Sequence, residues 1–373
     1  MPQATPASPH ADLVVDELPA AQRTLRIAVV SETYPPEVNG VAMTISRTVE
    51  GLRARGHDLQ LVRPRQQSSD AGDQHDRFQE VLMRSLPIPR YPHLKMGLPS
   101  KRTLIDLWRQ RRPDVVHIAT EGPLGWSALQ AAGVLRLPVT SDFRTNFHAY
   151  SRHYGIGWLN KPIMAYLRKF HNRTLTTMVP TEALADELAA SGLRRLQVVG
   201  RGVDTERFSP RHRSAALRAS WCAAPGTLVV ACVGRLAPEK NLGVLLEAFQ
   251  SLRALRPDSR LVLVGDGPSR AALQAACPDA VFAGQRSGDD LAAHYASADL
   301  FLFPSTTETF GNVTPEAMAS GLPVVAYDHA AAGQLIRHGE NGLLAPLDQT
   351  PLFVQQAVAA ALDPALAWAL GQR

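Results

Sequence analysis

Glu308 and Glu316 stand eight residues apart in the stretch Asp299-LFLFPSTTETFGNVTPEAMASGLPVVAY-Asp328. Paired carboxylates in a cleft read first as a general acid and base. The run Leu300 to Phe303 is short enough for a buried strand, and Thr314-Pro315 predicts an N-cap followed by the first helical residue. Glu308 then belongs to the loop and Glu316 to the first helical turn. Gly321 and Pro323 end that helix, and Val324 to Ala326 form the next buried strand. Both carboxylates therefore lie at the carboxyl end of a parallel sheet, where open α/β folds bind ligands. For Glu316 the alternative is simple stabilisation of a helix N-terminus, worth about 0.3–1 kcal/mol. Glu308 has no such capping role, and the neighbouring Gly311 lets backbone approach a ligand closely.

A second pair, Arg235 and Lys240, lies five residues apart in Gly234-RLAPEKN, between a strand and a helix. A forked guanidinium and a point ammonium beside helix N–H groups form a cradle for a diphosphate; the alternative is two surface cations.

These residues need a frame to hold them, and the chain predicts one. Arg26-IAVV is a strand, Val41 to Arg55 has helical apolar spacing at Val41, Ile45, Val49 and Leu52, and Asp58-LQLV is the next strand. Strand–helix alternation continues through Asp114-VVHIA, a helix from Trp126 to Leu135, Pro138-VTSDF, Thr177-MVP and Leu196-QVV. Residues 66–77 read as a polar loop and Pro87-IPRYPHLKMGLP as a Pro-rich segment. After the linker Gly200-RGVDTERFSP a second series begins at Leu228-VVACV and runs through Arg260-LVLV, Ala280-VFA, a helix from Leu291, and the stretch carrying the glutamates. Asp328-HAAAGQLIRHGENG reads as a loop before a final helix from about Pro351. The expectation is an α/β protein of two doubly wound parallel sheets.

At 373 residues with 45% apolar content the chain suits two domains. Three cysteines without metal spacing predict reduced thiols and a cytoplasmic protein. Residues 1–200 carry 25 Lys and Arg against 18 Asp and Glu, or +7; residues 201–373 carry 14 against 16, or −2. The first half is thus the one to meet an anionic partner, although no nucleic-acid motif accompanies its charge and nucleic acid is not expected. The loop after the first strand lacks G-x-G-x-x-G, which counts against a dinucleotide cofactor.

Gly-Arg-Leu-x-x-Glu-Lys-Asn (234–241), Val-Gly-Asp-Gly-Pro (264–268) and Glu-x7-Glu (308–316) with Phe310-Gly311 inside, in that order, resemble the GT-B retaining glycosyltransferases of family GT4. The likeness runs from about Arg26 onward. Glu32-TYPPEVNGV and Gly202-Val203-Asp204-x-x-x-Phe208 resemble segments of bacterial glycolipid glycosyltransferases, including GDP-mannose-dependent α-mannosyltransferases.

The resemblance implies an N-terminal acceptor-side domain over 24–200 after a leader at 1–23. It further implies a nucleotide-sugar domain over 201–355, and a terminal helix over 356–373 returning toward the first domain. On the donor side, Arg235 and Lys240 would grip a nucleotide-sugar diphosphate, Glu316 would hold the ribose and Glu308 the sugar hydroxyls. Phe310, Gly311, Asn312 and Val313 would bind through backbone N–H groups, Asn39 and Gly40 would meet the diphosphate from across the cleft, and Gly265, Gly284 and Arg286 would lie by the nucleobase. On the acceptor side, His148 would stand in for a histidine that relatives carry where this chain has Arg144, with Arg144, Glu121 and Arg201 nearby. The alternatives are a structural histidine, a loop acid paired to an arginine for Glu121, and a hinge salt bridge for Arg201. No metal and no cofactor are expected; the acceptor is a lipid or glycan, with peripheral contact on an anionic inner membrane face. A UDP-sugar donor with a soluble acceptor, and a non-catalytic binding protein of the same fold, are the other readings.

Overall fold

The computed structural model describes residues 23–37, 39–67, 69–88, 91–144 and 160–372. The first sheet is built from β1 (Arg26–Val30), β2 (Asp58–Pro64), β3 (Gln74–His75), β4 (Phe78–Met83), β7 (Val115–Ile118), β8 (Val139–Asp142), β9 (Thr176–Val179) and β10 (Leu196–Val198); β5 (Ser85–Ile88) and β6 (Tyr91–Gly97) form a separate antiparallel hairpin. Its order is β10-β9-β8-β7-β1-β2-β4-β3, parallel except where β3 meets β4. The second sheet is parallel throughout, in the order β13-β12-β11-β14-β15-β16, comprising β11 (Val229–Val233), β12 (Arg260–Val264), β13 (Val281–Gly284), β14 (Leu300–Phe303), β15 (Val324–Tyr327) and β16 (Leu343–Ala345). This is the architecture the sequence predicts: two doubly wound α/β units.

Continuous apolar runs give the central strands β1, β11, β14 and β15, because these are buried on both faces. In β11, Val230 and Cys232 enter one core layer while Val229, Ala231 and Val233 enter the other; β14 divides Leu300 and Leu302 from Phe301 and Phe303 in the same way. Burying each such valine, leucine or phenylalanine contributes about 1.5–3 kcal/mol. Strand order reverses between β1 and β7 in the first sheet and between β11 and β14 in the second. Loops leaving adjacent strands on opposite sides of a reversal diverge and leave a crevice at the sheet's carboxyl edge.

Several elements differ from expectation. The β5–β6 hairpin occupies most of what reads as a Pro-rich segment, since proline is tolerated where no ladder partner needs its N–H; β3 falls at the end of the expected 66–77 loop, and β4 follows it in a stretch for which the sequence predicts no element. A six-residue helix, Ala330–Leu335, occupies part of the segment expected to be loop, and β16 follows directly after that segment, both too short for periodicity to register. Helices expected from Trp126 and Leu291 start at Pro123 and Gly288, one turn earlier. The boundary expected at residue 355 falls inside the helix Thr350–Leu362. That helix and the next, Pro364–Gly371, do not turn toward the first domain: Phe353, Ala357 and Leu370 join the second domain's core with Leu245 and Phe249. Of the leader expected at 1–23, only residue 23 is among the described residues.

Candidate active site

Both loops beside the second reversal deliver polar side chains to one point. After β11 the chain passes Gly234 and Arg235, makes a short turn at Pro238–Lys240, and enters the helix Leu242–Leu255 through Asn241 in the left-handed region (φ 54°). After β14 comes the loop bearing Ser305, Thr307 and Glu308. The Lys240 ammonium pairs with Glu308 Oε1, which also accepts from Ser305 Oγ at 2.7 Å. Burial pushes the Glu308 carboxyl up, but Lys240 and Ser305 outweigh it and hold the group below its ordinary range. Glu308 is therefore ionised, with its charge shared by a lysine that faces the crevice. Arg235 lies 3.6 Å from the buried Glu239. Thr307 Oγ1 donates to the Glu239 carbonyl at 3.1 Å, so the two loops are tied together.

The rest of the loop is held from below. The Glu308 carbonyl meets His329 Nε2 at 3.2 Å, and the Phe310 carbonyl accepts from Ala331 N at 2.7 Å. Gly311 adopts φ 87°, and a Cβ there would sit 3.3 Å from Glu308 Cγ, so glycine is required by both backbone and neighbour. The next helix is Val313–Ala319 with Asn312 as N-cap residue, two residues ahead of the expected Thr314-Pro315 start; Thr314 is instead buried. Glu316 sits in its first turn, as expected. Tyr295 Oη donates to Glu316 Oε2 at 3.1 Å, and burial raises the carboxyl to about 7.

The first domain approaches this loop at several points. Asn39 caps the helix Gly40–Ala54, its Oδ1 accepting from Ala42 N at 2.8 Å. One turn on, Thr44 Oγ1 accepts from Asn312 Nδ2 at 3.3 Å, and a Cβ on Gly40 would lie 4.0 Å from the same atom. Arg47 reaches to 4.0 Å from Glu316 Oε1. Thr309 Oγ1 donates to the Arg144 carbonyl at 2.9 Å. Arg201, on the linker, approaches Asn312 Oδ1 at 3.4 Å and stands 5.5 Å from the Phe310 ring centre. A cavity of about 950 Å3 adjoins the donor-side groups here, lined by Thr44, Arg47, Asp142, Arg144, Arg201 and Asn312 among others.

Within that cavity Asp142 bonds Arg144 and, at 3.2 Å, His117 Nε2. Its burial raises the carboxyl, and His117 and Arg144 overcome this to hold it at about 2. Burial and the like charge of Arg144 bring the Arg201 guanidinium down to about 10.

Not every expected residue reaches the cleft. Glu121 is turned into the first domain: it is buried, its carboxylate lies 3.2 Å from His171 Nε2, and its carbonyl accepts from Tyr166 Oη. Its partner is thus a histidine, neither an acceptor nor an arginine. Among the described residues Arg201 makes no ion pair of the kind considered as its alternative; its neighbours at contact distance are an amide and a ring. Arg286 bonds the Ala283 carbonyl and Asp290 at the surface. Gly265 has a structural reason to be glycine: at φ 134°, a Cβ would fall 1.9 Å from the Gly234 carbonyl oxygen. Gly284 accepts from Gly265 N at 2.8 Å, so both belong to the floor of the crevice. His148 lies outside the described residues.

Arg47, Asp142, His117, Tyr295 and His329 are site neighbours that sequence reasoning missed. Only Arg47 had a visible signal: with Gly40 and Thr44 it repeats at i, i+4 and i+7 along one helix face. Among the described residues no group of three His, Cys, Asp or Glu side chains is arranged to hold a metal ion.

Two facing parallel-sheet domains, with ionised side chains gathered at the crevice of one and opposed by the helix of the other, define a GT-B glycosyltransferase. The solved structure of HepE from Anabaena, in complex with UDP-glucose, shares this fold at a TM-score of 0.73 and 19% identity, over 93% of this chain and 92% of that one. Residues 38–207 match the model for Glycosyltransferase Family 4, and residues 227–363 the model for glycosyl transferases group 1. A GDP-mannose-dependent alpha-mannosyltransferase of Mycobacterium tuberculosis is 37% identical over 94% of this chain and 91% of its own length. A GDP-mannose-dependent alpha-(1-6)-phosphatidylinositol monomannoside mannosyltransferase of the same organism is 28% identical over 86% of this chain and 84% of its own. The chain belongs to glycosyltransferase family 4.

Proposed function

We propose that the protein is a retaining mannosyltransferase that moves mannose from GDP-mannose to a hydroxyl of a lipid or glycan acceptor. The observation that carries this reading is the Lys240–Glu308 pair, buttressed by Ser305 at the β11/β14 crevice and followed by Glu316 at the next helix start. The donor base and sugar are supported by the 37% identity to the mycobacterial mannosyltransferase.

Lys240 and Arg235 hold the diphosphate and stabilise the charge that grows on the leaving nucleotide. Glu316 and the backbone of 310–313 hold ribose and sugar oxygens. The bond from the sugar's anomeric carbon to the phosphate oxygen breaks, the acceptor oxygen bonds that carbon on the face just vacated, and the acceptor's proton passes to the departing phosphate. Glu308, already committed to Lys240, positions the sugar and forms no covalent bond to it. No metal enters this scheme, so activity is expected to survive chelation by EDTA.

Measuring nucleoside diphosphate release from a panel of GDP- and UDP-sugars tests the reading. Release fastest with GDP-mannose supports it. A UDP-sugar preference corrects the donor, and absence of both release and binding with every donor overturns it.

A peripheral site at an inner membrane face is part of the proposal. It is supported by the helix Asn160–His171, whose last turn carries Arg168 and Lys169, and by Trp126 beneath Lys169 and Arg173 with Tyr166 and Leu175 exposed nearby. Salt-sensitive binding to anionic but not neutral vesicles is the expected result.

A further inference from the structure

Four arginines line the 950 Å3 cavity: Arg47, Arg144, Arg201 and Arg207. Three face carboxylates, Arg47 with Glu316 at 4.0 Å, Arg144 with Asp142, and Arg207 with Asp289 at 3.4 Å. Among the described residues, no carboxylate lies within ion-pair distance of Arg201. Its guanidinium has an amide oxygen at 3.4 Å and an aromatic face, and the largest charge effect on it comes from the cation of Arg144, with Asp142 and Glu308 acting in the opposite sense without reaching ion-pair distance. A part-buried cation beside a second cation is an arrangement that a bound anion would stabilise.

Two anionic groups could fill it: the donor's diphosphate or a group on the acceptor. The diphosphate has its own cations, Arg235 and Lys240, on the loop after β11. Arg201 stands on the interdomain linker and, although the Glu308 carboxylate also acts on its charge, it lines the cavity together with Arg144 and Asp142, which extend from the end of β8 in the first domain. The cavity is also large enough to hold a sugar ring bearing a charged substituent.

Resting on the glycosyltransferase reading above, we infer that Arg201, with Arg144 beside it, seats a carboxylate or phosphate carried by the acceptor and so selects anionic over neutral acceptors. Arg144 is a positioning residue here: Asp142 fixes its guanidinium, and its charge raises the affinity of the seat. Arg201 makes the direct contact.

The experiment compares, with one donor, an alkyl glycoside, the same glycoside carrying a 6-phosphate, and the same glycoside oxidised to a 6-carboxylate. Wild-type protein is expected to favour at least one anionic form by about tenfold or more in kcat/KM, and Arg201→Met to bring that ratio near one, whatever happens to absolute rates. Arg201→Lys should keep part of the preference. The two anionic arms distinguish carboxylate from phosphate. A preference unchanged in Arg201→Met, with donor KM raised alike for all acceptors, would assign Arg201 to the donor diphosphate and overturn the inference. Equal wild-type rates on all three acceptors would also overturn it. Should no donor support turnover, the mannosyltransferase reading fails separately, and the seat is still read by calorimetry: the anionic glycoside binds wild type more tightly than the neutral one, and Arg201→Met abolishes the difference. Equal binding by the wild type sinks the inference.

Discussion

On the second sheet, the loops leaving β11 and β14 bring Lys240 and Glu308 to a common point, and Glu316 follows in the next helix. On the first sheet, the loops leaving β1 and β7 carry Glu32 and Glu121, and both turn inward. Glu32 accepts from Gly97 N at 2.6 Å and Leu124 N at 2.7 Å, fastening the β5–β6 hairpin and the helix Pro123–Leu135 to the end of β1. A Cβ on Gly122 would sit 2.3 Å from its Oε1, so the acid and that glycine fit as a unit. Glu121 is locked to His171, whose Nδ1 continues to Ser141 at 3.0 Å. The same strand topology thus serves two ends: one crevice pairs its charges with each other at the point where the proposed donor would sit, while the other uses carboxylates as clamps on its own backbone. A glutamate at a strand's carboxyl end is not in itself a site, and the groups that satisfy it decide.

The largest effect should come from breaking the ligand-facing side. Lys240→Met takes away the charge proposed to steady the leaving nucleotide and should lower kcat/KM by about 100- to 1000-fold in a diphosphate-release assay; because Glu308 is left buried without its cation, it should also cost about 1–3 kcal/mol in urea unfolding. The clamp side should respond the other way. Glu32→Ala leaves two backbone N–H groups without their acceptor and should cost about 2–4 kcal/mol by urea denaturation. Nucleotide affinity of the protein that remains folded should change little. If instead Glu32→Ala abolished nucleotide binding without loss of stability, the contrast between the two crevices would collapse.

Glu316 lies between these extremes. Its folded-state value, about 7, is above the ordinary 4.5, so the protonated form favours the fold. That contribution is complete below about pH 4.5 and is lost as pH rises through about 7. Relative to Glu316→Gln, wild type should lose up to about 3 kcal/mol of stability between pH 5 and 8. A ribose diol prefers the ionised carboxylate, so nucleotide should bind wild type more tightly at pH 8 than at pH 5.5, and Glu316→Gln should flatten that dependence. The smallest effect is expected at Arg286, whose guanidinium is occupied by Ala283 and Asp290 at the surface. Arg286→Ala should shift nucleotide affinity by less than about threefold; a tenfold loss would mean that the side chain leaves Asp290 to bind the base.

Much of the frame was legible because both sheets are parallel and buried, so their strands print as uninterrupted apolar runs between helical periods. Glu308, Glu316, Arg235 and Lys240 were legible because a loop between strand and helix has few reasons to keep such charges. The partners were not. Tyr295 reaches Glu316, and His329 reaches the Glu308 carbonyl, from elements 21 residues away in sequence. No local spacing encodes those contacts, since they depend on how the helix Gly288–Ala296 and the segment after β15 pack. Glu121 misled for the same reason: its partner His171 lies 50 residues downstream. Strands β3 to β6 escaped notice because β3 is two exposed residues, β4 is only part-buried at most positions and so prints no apolar run, and Pro87 and Pro92 interrupt β5 and β6.

The contacts between the two halves converge on a single loop. Thr309 meets the Arg144 carbonyl, Asn312 meets Thr44 and Arg201, and Glu316 lies within reach of Arg47. Any nucleotide that claims Glu316 for its ribose competes with Arg47, and therefore weakens one of the links across the gap as it binds. By thermodynamic reciprocity, and through this contact alone, breaking the Arg47 link favours the nucleotide's hold on Glu316 as much as that hold weakens the link. The loop is then a gauge of interdomain distance as well as a grip, and the occupancy of one substrate is felt by the wall that receives the other.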